Sequence, residues 1–191
     1  MEVVIICVVT AALVIFGPKL FKRVKNSFRR GWQWSHSMGS KSAHSENNGI
    51  VTLPLENECA MFLNYSPETP KKSVTIRYRV GGGPFEYFHK EDKHKTVYLE
   101  LLMIRKGNDW GGGKTQQNYR QYHRVGVMED TRGQWIEKTI PIEQLQWHNV
   151  WGKKQGLSTT LESLDALGLR WYHGMIAKNP GATIDFKITV S

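Results

Sequence analysis

Ser73–Val80, SVTIRYRV, alternates without a break, with Val74, Ile76, Tyr78 and Val80 on one face and Thr75, Arg77 and Arg79 on the other. A period of two sends successive side chains to opposite faces of a strand, so one apolar face predicts a half-buried sheet. Gly81-Gly82-Gly83-Pro84 ends the run. The segment Thr183–Val190 repeats the pattern, setting Ile184, Phe186, Ile188 and Val190 against Thr183, Asp185, Lys187 and Thr189. Ile50–Leu55 and Ala60–Tyr65 before these two segments, and Trp135–Ile142 and Leu167–Tyr172 between them, are short strand candidates. Thr96–Ile104 (TVYLELLMI) is apolar on both faces, as a central strand should be. Ser158–Leu167 alone reads as a helix: Thr159-x-x-Glu162 has capping-box spacing, and leucines stand at 161, 164 and 167. Seven or eight strands and one short helix predict a mainly β protein, an antiparallel β-sandwich of jelly-roll type.

The amino-terminal region follows other rules. Val3–Phe16 (VVIICVVTAALVIF) is apolar apart from Thr10, and Lys19, Lys22, Arg23, Lys25, Arg29 and Arg30 follow with no acid among them. A helix through Phe21 spans about 28 Å, close to the hydrocarbon thickness of a bilayer. A cleaved signal peptide is the alternative, but no basic residue precedes the apolar run and no small-x-small site follows it. The division expected is an anchor over 1–21, a basic juxtamembrane segment and polar linker over 22–49, and a β-sandwich over 50–191. The six cations suit the surface of an anionic bilayer, each contributing about 1 kcal/mol of attraction. Their place after the span predicts a single-pass protein with a cytoplasmic domain, a periplasmic or extracellular domain being the alternative.

The net charge of +9 is concentrated in that collar. Beyond Arg30 there are 20 basic and 16 acidic residues and no basic stripe with stacking aromatics, so nucleic acid is not the expected partner. The two cysteines, Cys7 and Cys59, fall in different segments and form no disulfide within the domain. The seven histidines show no metal-ligand spacing and read as solvated side chains, so no metal and no cofactor is expected. Gly113-Lys114-Thr115 resembles the end of a phosphate loop, yet Asn108 stands where its first glycine belongs and no helix alternates with the strands. No Gly-x-Ser-x-Gly turn is present, and Glu100, Asp109, Glu129 and Asp130 are the carboxylates whose convergence a hydrolase would need.

Arg105-Lys106-Gly107-Asn108-Asp109-Trp110, Tyr119-Arg120-x-Tyr122 and Trp147-x-x-Val150-x-Gly152, with the closing Ile-Asp-Phe-Lys-Ile-Thr-Val, carry a resemblance. Over about Trp34 to Ser191 the chain is similar to uncharacterised membrane-anchored bacterial proteins with a galactose-binding-like jelly roll. It looks distantly like carbohydrate-binding modules and the complex I intermediate-associated protein 30 domain. The resemblance implies the fold but brings no chemistry with it. Asn108 replaces the acid that the pattern leads one to expect.

The aromatic residues suggest a function. Trp110, Trp135, Trp147, Trp151 and Trp171 fall in or beside expected loops and strand ends, where they serve either packing or recognition. Aromatic faces bind the C–H patches of sugar rings, while neighbouring polar groups hold hydroxyls. Asp109, Trp110, Tyr119, Arg120 and Tyr122 are therefore the expected ligand site, with no catalytic residue. The expected function is a membrane-tethered, non-enzymatic binding domain for carbohydrate or a similar polar ligand. The alternative is an assembly or scaffold protein that binds another protein at the membrane.

Overall fold

Two five-stranded antiparallel sheets face one another in the structure, a computed structural model that describes residues 31–38, 44–55, 59–82, 86–89, 96–108, 118–171, 174–177 and 181–191. The expected anchor and collar, 1–30, lie outside the described residues. The first sheet has the order β1-β4-β10-β7-β8, formed by β1 (Gly31–Met38), β4 (Cys59–Tyr65), β10 (Leu164–Trp171), β7 (Tyr98–Arg105) and β8 (Arg120–Val127). The second has the order β2-β3-β12-β5-β9, formed by β2 (Ser45–Asn47), β3 (Ile50–Pro54), β12 (Thr183–Val190), β5 (Ser73–Gly81) and β9 (Ile136–Pro141). A separate pair joins β6 (Glu86–His89) to β11 (Gly174–Ala177).

The alternation in β5 and β12 is realised as expected. Val74, Ile76, Tyr78, Val80, Ile184 and Phe186 are buried and meet Phe62, Leu99, Leu101, Met103, Leu167, Leu169 and Trp171 from the first sheet. Each such aliphatic or aromatic side chain contributes about 1.5–3 kcal/mol through burial. The outer face of the second sheet is polar: Arg79 pairs with Asp185 at 2.7 Å, and Trp135 lies beneath the guanidinium groups of Arg77 and Arg79. Tyr78 reaches across the sandwich to Gly126, where an added Cβ would stand 2.6 Å from its hydroxyl.

The first sheet is buried on both faces near its centre. Leu63, Leu102, Tyr122 and Ala166 form a second apolar cluster opposite the main core, with Val150 packed against it. Hence β7, between β10 and β8, is apolar on both faces.

Three expectations are corrected. The helix expected over 158–167 is confined to α1 (Leu157–Leu161), while Leu164 and Leu167 belong to β10. Gly156, at φ 87°, precedes α1, and Glu162 closes its end, so the Thr159–Glu162 spacing does not start a helix. The helical spacing of leucines arises because β10 is central and apolar on both sides, where no alternation survives. The polar stretch 35–49 is not all linker: β1 runs to Met38, pairing Trp32 with Asn64 and Trp34 with Phe62. β2 then joins β3 through Asn48-Gly49, both at positive φ (50° and 72°), as a two-residue hairpin with this dipeptide requires. β8 is absent from the expected strands, yet it pairs along β7 from Ile104–Arg120 to Tyr98–Val127.

Candidate functional site

The expected ligand residues divide into three groups. Asp109 and Trp110 lie outside the described residues, as does Gly113-Lys114-Thr115. Tyr119 is half-buried beside β8, with the Arg105 guanidinium 5.0 Å from its ring. Arg120 and Tyr122 are not loop residues that offer their faces to a ligand. They occupy β8 on the outer face of the first sheet and are buried, Tyr122 to 2% exposure.

Tyr122 belongs to a polar cluster built by register. Arg170 on β10 stands opposite Glu100 on β7, and Glu100 opposite Arg124 on β8. Arg170 donates from Nε and Nη2 to the same Glu100 oxygen at 2.9 and 2.5 Å, and Arg124 approaches the other oxygen at 3.8 Å. The Arg170 guanidinium also lies 4.0 Å over the Tyr122 ring. Burial raises the Tyr122 pKa, opposed by Arg170 and by Arg120, which donates a hydrogen bond to it. Glu100 is thus committed to two arginines, while Asp130 accepts the backbone N–H of Arg132. No cluster of three or more His, Cys, Asp or Glu side chains able to hold a metal ion occurs among the described residues.

The connection after β9 builds a cleft against this strand. A short 3₁₀ turn, Gln144–Gln146, leads to Trp147, which is fully buried and donates its indole N–H to the Pro141 carbonyl at 3.0 Å. His148 pairs its backbone with Tyr122 in both directions, at 2.8 and 3.0 Å. Asn149 then folds the loop: its buried side-chain oxygen accepts the N–H groups of Trp151 and Lys153, and its amide donates to Asn118, all at 3.0 Å. The result is a cleft of about 380 Å³ lined by His123, Arg124, Gln146, His148, Gly152 and Lys154. The histidines were expected to be solvated, but both are half-buried. Burial lowers the pKa of each, and nearby cations lower it further, chiefly Lys154 for both and Arg124 for His148. The Gln146 carbonyl, 2.6 Å from His123 Nδ1, opposes the shift at His123, and Glu100 opposes it at His148.

A second cleft, of about 320 Å³, opens where β1, β4 and β10 meet β12. Trp32 stacks on Phe62 with centroids 5.6 Å apart and planes 3° apart, and presents its edge to Phe186. Trp32, Leu167, Ile188 and Val190 give the cleft an apolar floor, and Asn64, Glu68 and Thr189 supply its polar groups. Sequence reasoning missed Trp32 because it follows the basic collar directly. The period-two Trp32-Gln33-Trp34 was the available signal. Among the other tryptophans, Trp171 is fully buried and Trp151 is 44% exposed.

These features define a two-sheet antiparallel β-sandwich with two open clefts and a buried ionic cluster. The chain matches no protein-family model, no curated protein and no solved structure. Among the described residues, no helix is long and apolar enough to cross a membrane.

Proposed function

We propose that this protein is a non-enzymatic binding module, a jelly roll of galactose-binding-like kind, held at a membrane surface by residues 1–21 and the basic collar. Its ligand is a neutral saccharide seated in the Trp32 cleft. The observation that carries this reading is the combination of a half-buried indole with an amide, a carboxylate and a hydroxyl around one cleft. Sugar recognition requires that combination: an aromatic surface for ring C–H groups and a few polar atoms for hydroxyls. The anchor is supported by the apolar run Val3–Phe16 and the six cations that follow.

The test is a broad glycan array probed with the full chain, followed by titration of any hit against tryptophan fluorescence. Trp32→Ala should abolish binding, and Asn64→Ala, which leaves the stacked rings in place, should weaken it. Binding to no glycan, or binding indifferent to both substitutions, would overturn the proposal.

A protein partner is the second reading, favoured by Leu145 at 76% and Trp151 at 44% exposure on one connection. Exposed large apolar side chains grouped on one segment suit a docking surface. Co-purification of a stoichiometric partner, lost in Leu145→Ser/Trp151→Ser, would support it.

A further inference from the structure

We infer that the cleft between β8 and the 146–154 loop is a binding site for an oxyanion, a phosphate or sulfate group, held by Arg124, His148 and Lys154 with His123 behind them. It is distinct from the Trp32 cleft and independent of saccharide binding there. Four of its six lining residues are basic or protonatable and none is acidic. The nearest buried carboxylate, Glu100, is already engaged by Arg170 and does not compete as an internal anion. Arg124 keeps a side chain 62% exposed, with a loose 3.8 Å contact to Glu100 and the face of its guanidinium 4.6 Å over the Tyr98 ring, so its N–H donors remain available to a ligand. Guanidinium and ammonium donors make short, charge-assisted hydrogen bonds to phosphate-like oxygens, about twice as strong as neutral ones.

The cleft is built rather than incidental. Asn149, wholly buried, fixes the turn that carries Gly152 and Lys153 into Lys154. The Tyr122–His148 backbone pair fixes the opposite wall. Gly152 takes φ 76° at the mouth, a conformation that favours glycine and leaves no side chain over the opening.

The imidazoles make the site responsive to protons. A carbonyl only accepts, so the Gln146 oxygen assigns the His123 hydrogen to Nδ1 and leaves Nε2 to gain or lose the second proton. The charged groups facing the two rings are Arg124 on β8, Arg170 on β10, Lys138 on β9, Lys154 on the loop and one carboxylate, Glu100 on β7. A bound dianion relieves that excess of positive charge, so binding draws protons onto the imidazoles and tightens as pH falls.

Inorganic sulfate is the probe of choice, because it remains a dianion across the range in which histidine titrates. The full chain in nanodiscs of zwitterionic lipid is titrated with sulfate by calorimetry at about pH 5.5 and about pH 8, near and above the ordinary histidine range. Sulfate should bind more tightly at the lower pH. Lys154→Gln and Arg124→Gln should each weaken it about tenfold, the usual scale for one charge-assisted contact. His148→Gln should remove most of the pH dependence, and Lys22→Gln/Lys25→Gln in the collar should change nothing. Inorganic phosphate, compared with vesicles carrying a phosphomonoester lipid, separates a soluble ligand from a headgroup. Binding of either that depends on Lys154 supports the site. No heat at millimolar sulfate, or affinity that follows the collar lysines instead of Lys154, would overturn it.

Discussion

Arg170 and Glu100 stand directly opposite one another on β10 and β7, and two guanidinium nitrogens meet one carboxylate oxygen at 2.5 and 2.9 Å. Both side chains are largely shielded, at 18% and 9% exposure, on a sheet that is apolar on either side of them. Such a pair adds little net stability over an apolar one, but breaking it strands a charge. Its placement beside Tyr122 fixes the outer face on which the oxyanion cleft stands.

Glu100→Gln should therefore destabilise the fold by about 2–3 kcal/mol, because Arg170 loses its counter-charge in a poorly solvated position. Glu100→Gln/Arg170→Gln should recover much of that loss. Arg124, more exposed and more distant, should contribute about 0.5 kcal/mol or less when changed alone. Urea denaturation midpoints for the unaltered chain, Glu100→Gln, Arg170→Gln and the double variant test this. Additive losses in the double variant would show that the two residues are not coupled.

Gly168→Ala should be among the most damaging single-methyl additions. The new Cβ would stand 2.1 Å from the Phe62 carbonyl and 2.7 Å from Leu63 Cα, both backbone atoms of β4 that cannot rotate away. A loss of about 3 kcal/mol or failure to fold is expected. Gly81→Ala, where nothing lies within 4 Å, should cost no more than about 0.5 kcal/mol. Thermal unfolding of the two variants side by side gives the comparison.

Asn149→Ala removes the acceptor for two backbone N–H groups and the donor to Asn118. Leaving those groups without partners costs about 2–3 kcal/mol, and amide exchange at Trp151 and Lys153 should accelerate selectively. Protection unchanged at those two amides would show that the turn holds without its asparagine.

Stability should fall on acidification. His123 and His148 have folded pKa values below the ordinary 6.5, so the unfolded chain takes up protons first as pH drops. The sign follows from linkage: full stability above about pH 6.5, a loss as pH falls toward the lowered values, and a plateau beneath them. Melting temperature between about pH 8 and pH 5 measures it. His123→Gln/His148→Gln should flatten the curve over the histidine range, and a slope that survives both substitutions would assign it elsewhere.

The strands with one wet face were the legible part of this fold. β5 and β12 announce themselves because Arg77, Arg79 and Lys187 alternate with buried residues. β10 is legible from Leu167 onward, but its start at Leu164 reads as helix because both faces are apolar and Leu161, Leu164 and Leu167 fall at helical intervals by coincidence. The β2–β3 hairpin was written in Asn48-Gly49, and only the brevity and polarity of β2 concealed it. β8 is harder, since its arginines and Tyr122 face a neighbouring loop that only tertiary structure supplies. The same gap explains the site: Tyr119-Arg120-x-Tyr122 points to the right strand, yet two of the three are buried on the outer face of the sheet. His148 and Lys154, far along the chain, come to it through the turn that Asn149 holds.

The loop that walls the oxyanion cleft has another role at the border of the sheet. β8 is the last strand of its sheet, and the Tyr122–His148 backbone pair occupies hydrogen-bonding groups there that would otherwise be open to any extended segment. Lys138 closes the same border from the second sheet by donating to the Val125 carbonyl. An unguarded border strand recruits other chains by the same backbone pairing that builds the sheet. Ligand capture and resistance to self-association therefore depend on one stretch of polypeptide, and changes that loosen it expose the protein to aggregation as well as to loss of its anion.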